Sequence, residues 1–178
     1  EPNHLQIGCD VLLRNGVDFV YSNYIRVSKN ITKKNVTDVL SLDNKYDILF
    51  ENPPQTNSFI IRKNAFFEKK IYFDESLKRH QDWKFFIDAI QNNIKIKYID
   101  EYTSYYCDST RPLMSRVNYD SMLKFWCDNK KLFSTDKMEA FVINICVNCM
   151  LNKSRKDMRY IMEKYNFQYL INENKIFF

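Results

Sequence analysis

Glycine is nearly absent: the 178 residues contain only Gly8 and Gly16. Both common phosphate-cradling loops need several glycines at fixed spacing, so neither can be built here. Histidine is as scarce, with His4 and His80 alone, and no second histidine or carboxylate stands at zinc-type spacing from His80. No apolar run approaches the ~20 residues that cross a bilayer. The chain opens Glu1-Pro2 with neither a methionine nor an apolar leader, which reads as a piece of a longer protein. The five cysteines, Cys9, Cys107, Cys127, Cys146 and Cys149, are odd in number in a chain that is not small. That argues against a secreted disulfide scaffold and for a reducing, cytoplasmic setting.

Apolar residues make up 45% of the chain, enough for a real core. The net charge is +5, from 27 basic and 22 acidic residues. So mild an excess fits a small anionic ligand or an anionic membrane surface. The basic residues are scattered and no recognition motif accompanies them, so no nucleic acid is expected as a partner.

The hydrophobic pattern predicts an α/β part followed by helices. Pro2 to Leu13 has helical spacing and stops at Asn15-Gly16. DFVYSNY, Asp18 to Tyr24, is β-branched and aromatic and reads as a strand, whereas Lys29 to Lys45 reads as a loop. A second strand is expected over Ser58 to Arg62, a short helix over Lys63 to Lys69, and a turn at Phe73-Asp74-Glu75-Ser76. From Asp82 to Asn92, Trp83, Phe86, Ile87 and Ile90 form one helical stripe. Ile94 to Ile99 alternates as a half-buried strand, and Thr103 to Cys107 is a further β-like run. Helices are expected over Tyr119 to Lys131 and Asp136 to Leu151, the latter with Asp136 and Glu139 in N-terminal capping positions, and again after Ser154.

The stretch Asn52 to Tyr106 carries an ordered set of pieces. They are a strand ending Arg62-Lys63, a Phe73-Asp74-Glu75 turn, Gln81-Asp82-Trp83 opening a helix, the lysine-flanked strand Ile94 to Ile99, and Tyr105-Tyr106. In order and spacing it resembles the acceptor-side part of family 2 glycosyltransferases of the bacterial surface-polysaccharide type. The resemblance covers roughly 1–110. It implies a partial GT-A-like mixed sheet with flanking helices over 1–117 and leaves 118–178 as a helical C-terminal extension. It also implies a nucleotide-diphosphate sugar donor, a saccharide or lipid-linked acceptor, and a divalent Mg or Mn ion. Two departures stand out: Gln81 replaces the family's usual Glu, and no Asp-x-Asp metal motif occurs in the chain. The metal ligands and the nucleotide half are therefore expected upstream, and the isolated chain is expected to transfer no sugar. A non-catalytic glycan- or protein-binding module derived from such an enzyme is the alternative.

Single-displacement sugar transfer needs a base for the acceptor hydroxyl, a counter-charge for the leaving diphosphate, and alignment of the two substrates. By the resemblance, Asp82 is the base. Aspartates, with an ordinary pKa of about 3.9, are ionised at neutral pH and accept a proton late in such a reaction. Asp82 also suits a helix start, where a carboxylate accepts backbone N–H bonds. Arg79, His80 and Gln81 either contact acceptor or diphosphate or form a solvated turn. Trp83 either packs in its stripe or stacks on a sugar. Asn57 and Ser58 open the strand beside the acceptor pocket, or simply make strand-start hydrogen bonds. Arg111, in the loop Cys107 to Arg111, is a candidate counter-charge or a surface arginine. Cys146 and Cys149 sit in an apolar helical run and are expected to pack in a core. Lys153, Arg155, Lys156, Arg159 and Lys164 beside Met158, Ile161, Met162 and Tyr165 make a basic amphipathic helix. It is an ordinary helix with one wet face, or a peripheral contact with the inner face of the cell membrane.

Overall fold

The computed structural model describes residues 1–28, 31–107, 118–153 and 155–172. The chain divides into two compact units, Glu1–Asp74 with Gln81–Thr110, and Glu75–His80 with Arg111–Phe178. Whereas the sequence pattern put a boundary at 117/118, the short segment Glu75–His80 joins the second unit.

The first unit is α/β, with a mixed four-stranded sheet. It contains α1 (His4–Asn15), β1 (Phe19–Ser28), β2 (Ile31–Asn35), α2 (Ile48–Glu51), β3 (Ile60–Ile61), α3 (Lys63–Glu68), α4 (Gln81–Gln91) and β4 (Ile96–Cys107). β4 runs parallel to β1 from Phe19 to Val27. β2 pairs antiparallel with Tyr24–Ser28 of β1, and β3 with Phe19 and Val20. Phe19 and Val20 pair with both β4 and β3, and Tyr24 to Val27 with both β4 and β2, so β4 holds one edge of β1 while β2 and β3 share the other.

β1 is buried from Phe19 through Tyr24, and its side chains alternate between two covered faces. On one face Val20 packs with Leu12 of α1 and Ile99 of β4. Here α1 approaches so closely that a Cβ on Gly8 would lie 2.0 Å from Cδ1 of Ile60. On the other face Phe19 meets Phe59, Phe66 and Phe86 edge-on, with ring centroids 5.0, 5.7 and 5.9 Å away. Phe66 in turn stacks on Phe85 at 4.9 Å. Each buried phenylalanine contributes roughly 1.5–3 kcal/mol, and each good ring pair adds about 0.5–1.5 kcal/mol.

Several expectations change on contact with this sheet. Within Lys29 to Lys45, Ile31–Asn35 is a strand, missed because an edge strand with Lys33 and Lys34 exposed shows no apolar alternation. The strand expected over Ser58 to Arg62 shrinks to Ile60–Ile61. Its start is wound into a 3-10 turn, Thr56–Ser58, by bonds from Ser58 N to Gln55 O and from Phe59 N to Thr56 O. Ile94 to Ile99 and Thr103 to Cys107 contribute to one strand, β4, broken in register twice. Ser22 faces Ile99, Asn23 faces Tyr102 and Tyr24 faces Ser104, which leaves Asp100, Glu101 and Thr103 as extra residues. Such bulges re-aim side chains.

With glycine so rare, other residues close the helices. Gly16 takes the left-handed position after α1, with φ 59°. Lys70 (φ 54°) follows α3 and Asn93 (φ 54°) follows α4. In both, paired bonds complete a Schellman cap: Lys70 N to Phe67 O with Ile71 N to Phe66 O, and Asn93 N to Ile90 O with Ile94 N to Ala89 O. The next residue, Ile71 or Ile94, is buried and seals the end.

The second unit is helical: α5 (Tyr119–Asn129), α6 (Thr135–Asn152), α7 (Arg155–Lys164) and α8 (Tyr169–Asn172). Asn118 caps α5 by accepting from Ser121 N at 2.8 Å. Ser134, rather than Asp136, is the N-cap residue of α6, and it makes no side-chain cap bond. The core holds Phe125, Trp126, Val142, Met158, Met162 and Phe167. Cys146 and Cys149 are buried in it on α6, and burial pushes the Cys146 thiol up to about 12, so it packs as a neutral group. On α7, Met158 and Met162 face inward, Arg155, Lys156 and Arg159 are exposed, and Lys164 donates to Asp120 at 2.7 Å. Lys78 N and Arg79 N both donate to Ser121 Oγ, at 2.9 and 3.2 Å. Among the described residues no helix is long and apolar enough to cross a membrane.

Candidate site at the carboxyl ends of the parallel strands

In open α/β sheets, ligands gather beyond the carboxyl ends of parallel strands. At that end of β1 and β4, the turn Thr56–Ser58 links two elements. The Thr56 hydroxyl donates to Oδ2 of Asp82 at 3.3 Å. The Asn57 amide donates to the backbone carbonyl of Tyr105. Ser58, buried, donates to Gln55 O at 2.7 Å and locks the turn itself. One three-residue turn therefore ties the first turn of α4 to the end of β4.

Asp82 lies in that first turn, and its Oδ1 accepts from the amide of Trp83 at 3.0 Å. A carboxylate here gains about 0.3–1 kcal/mol from the helix dipole. Both its oxygens are engaged, so its direction is set before any ligand arrives. It remains half-exposed, within reach of one. Tyrosines and a cation rim the same end. Tyr24 and Tyr106 meet at 6.4 Å, Arg26 lies over the Tyr106 ring at 5.8 Å, and Tyr105 OH donates to Glu1 at 2.5 Å. Burial raises the Tyr24 phenol, while the Glu1 carboxylate raises that of Tyr105, so both stay protonated near neutrality.

The remaining candidates are dispersed. Gln81 is exposed and Trp83 half-buried; the buried stripe of α4 is Phe85, Phe86, Ile87, Ala89 and Ile90. Arg79 and His80 belong to the helical unit. The His80 ring packs on Phe125 at 5.1 Å and Trp126 at 6.2 Å. Burial, with a smaller push from Arg79, lowers its pKa to about 3, so it is neutral at pH 7. Arg111 lies outside the described residues.

Sequence reasoning passed over Thr56, which nothing local distinguishes. It also missed a polar network under the sheet bulges. Ser22 and Thr103 hydroxyls lie 2.6 Å apart, and His4 Nδ1 sits 2.7 Å from Thr103 Oγ1. Asn23 donates to Asp100 at 2.9 Å and accepts from Tyr98 OH at 2.8 Å and Thr37 N at 2.9 Å. Burial and the Asp100 carboxylate push the Tyr98 phenol up to about 12, so it serves as a fixed donor. Two polar residues within the buried run of DFVYSNY were the available signal.

Among the described residues no group of three or more His, Cys, Asp or Glu could hold a metal ion. With no such group there, no step is derived through a metal ion. No family model matches the chain, and no curated protein matches it.

Proposed function

We propose that this chain is the acceptor-side part of an inverting, family 2 glycosyltransferase of GT-A fold. The reaction moves a sugar from a nucleotide-diphosphate donor to a saccharide or lipid-linked acceptor in surface-polysaccharide synthesis. The ordered pieces of 52–106 support the reading, and one observation carries it. Asp82 is aimed by Thr56 and by its own helix, at the carboxyl end of a parallel strand pair. In this reading the acceptor hydroxyl attacks the anomeric carbon while the Asp82 carboxylate takes its proton. The bond to the diphosphate breaks on the opposite face, and configuration inverts. Asn57, held by Tyr105, borders the acceptor. Arg111 supplies a counter-charge, and a divalent Mg or Mn ion and most donor contacts come from residues outside those described. In this reading the enzyme works in the cytoplasm, with the basic face of α7 as its candidate for a peripheral contact with the inner face of the membrane.

The test is Asp82→Asn in the enzyme that contains this chain together with its nucleotide half. General-base loss should lower kcat by about 10²- to 10⁴-fold with the melting temperature little changed. Wild-type turnover in that variant would sink the assignment. Glycan binding that survives in a protein with no measurable transfer would favour the non-catalytic module instead.

A further inference from the structure

We infer that the sheet unit holds a second binding site, a cavity between the end of α4 and the start of β4 that takes a small neutral ring compound bearing one oxygen acceptor. The cavity measures about 210 Å³. Val39, Ile90, Ile94 and Ile96 line it together with Tyr21 and Tyr98, whose ring centroids are 5.7 Å apart. An apolar cavity of about 150 Å³ is enough for benzene, so this one has room for a single substituted ring. The site stands apart from Asp82. Ile90 comes eight residues later on α4, about 12 Å along the axis, toward the end opposite the turn Thr56–Ser58.

One polar group in the wall is only half satisfied. Tyr21 is fully buried, and its hydroxyl oxygen accepts from Val39 N at 3.2 Å. Burial raises this phenol far above its ordinary value, so it keeps its proton. Among the described residues nothing accepts that proton. Val39 lines the cavity, so the hydroxyl it bonds stands at the cavity edge. The Tyr98 proton, by contrast, is committed to Asn23 and Asp100. A buried donor calls for an acceptor, and apolar walls give bridging waters few partners. The surrounding charges then exclude an ionic ligand. The segment that supplies Val39 and Lys45 sets three acids, Asp38, Asp43 and Asp47, against the single base Lys45. Asp38 acts on both phenols, and Asp100 on that of Tyr98. A carboxylate ligand would meet these acids. An ammonium ligand would meet Lys45 and offer Tyr21 no acceptor. A neutral carbonyl or ether oxygen on an apolar ring satisfies Tyr21 and meets neither objection.

The experiment is an amide NMR titration of the chain with three probes of similar shape: acetophenone, α-methylstyrene, in which a methylene replaces the carbonyl oxygen, and benzoate. Acetophenone should shift the amides of Val39, Ile94 and Ile96, and benzoate should not. Tyr21→Phe should weaken acetophenone about three- to tenfold, the share of one hydrogen bond, and leave α-methylstyrene unchanged. Ile96→Phe, a filling change at a half-buried position, should abolish the binding of both. Four results overturn the inference: no shift with acetophenone, as for a cavity that holds water only; benzoate bound as tightly as acetophenone; the parent's acetophenone affinity in a folded Tyr21→Phe; or, even where Tyr21→Phe does not fold, undiminished acetophenone binding in Ile96→Phe. No sugar transfer is read in any of them, so Asp82 stands or falls separately.

Discussion

Thr56 and Asp82 lie 26 residues apart in sequence and share a hydrogen bond of 3.3 Å, with the threonine hydroxyl as donor. The same three-residue turn reaches the Tyr105 carbonyl through Asn57. The turn is therefore a strut between the start of α4 and the end of β4, locked from within by Ser58. The placement of Asp82 depends on this strut as well as on its own helix.

Thr56→Val removes the donor and keeps the shape. The bond is long and solvent-exposed, so stability should fall by about 1 kcal/mol or less. Under the proposed transferase reading, kcat in a protein that joins this chain to a nucleotide half should drop, but by less than in Asp82→Asn, because the Trp83 amide still orients the carboxylate. Chemical denaturation and steady-state kinetics on the two variants check both halves. Equal kcat losses would mean that Thr56 does more than aim the base.

Lys70→Gly should stabilise the sheet unit by roughly 0.5–1 kcal/mol. A left-handed residue with a Cβ is strained by about 1–2 kcal/mol, and the added freedom of glycine in the unfolded chain returns part of the gain. Asn93→Gly, at the matching cap after α4, should change stability by only a few tenths of a kcal/mol, because asparagine tolerates this conformation. Thermal melts of the two variants against the parent make the comparison. A larger gain at Asn93 than at Lys70 would contradict the account.

The sequence pattern carried what is local and periodic. α4 was legible because Phe86, Ile87 and Ile90 repeat at helical spacing, and β1 because DFVYSNY is rich in β-branched and aromatic residues; six of its residues, Phe19 to Tyr24, are buried. β2 was not, since its stability comes from backbone bonds to β1 while Lys33 and Lys34 point to water. β4 read as two pieces because Asp100 and Glu101 interrupt the alternation, yet Asp100 and Thr103, residues of the two bulges, feed the buried network around Asn23 and Ser22. At the candidate site, Asp82 and Asn57 could be named, but Thr56 could not, for its role exists only through a partner 26 residues away. His80 read as a polar approach to Asp82, and only tertiary packing on Phe125 and Trp126 makes it a neutral ring.

Gly8→Ala tests the closest approach in the sheet unit. Its new Cβ would meet Cδ1 of Ile60 at 2.0 Å, with Cγ1 at 3.1 Å. Overpacking of this kind costs about 1–3 kcal/mol. Ile60→Val deletes Cδ1 and alone should cost about 0.5–1.5 kcal/mol. The double variant should be less destabilised than the sum of the two, because the atom that clashes is gone. Additive losses in urea unfolding would show that Gly8 is needed for some reason other than Ile60.

The acid limb of stability should depend on His80. Its folded pKa is lowered to about 3 by burial first and by Arg79 second, from an ordinary value of 6.5. Between those values the unfolded chain binds a proton that the folded chain refuses. Stability therefore rises with pH through this window and is lost as pH falls below about 6.5. At one unit per roughly 1.4 kcal/mol the effect amounts to a few kcal/mol at most by pH 4. His4 contributes with the same sign, since burial also lowers its pKa. His80→Asn keeps a residue that accepts the left-handed backbone at φ 64° and removes the titrating ring. The variant should be less stable at pH 7, having lost its contacts with Phe125 and Trp126. Between pH 7 and 5, above the range where carboxylates titrate, its stability should fall less steeply than that of the parent. Guanidinium unfolding at half-unit pH steps measures both slopes, and identical slopes would mean that the folded protein takes up the His80 proton as readily as the unfolded chain.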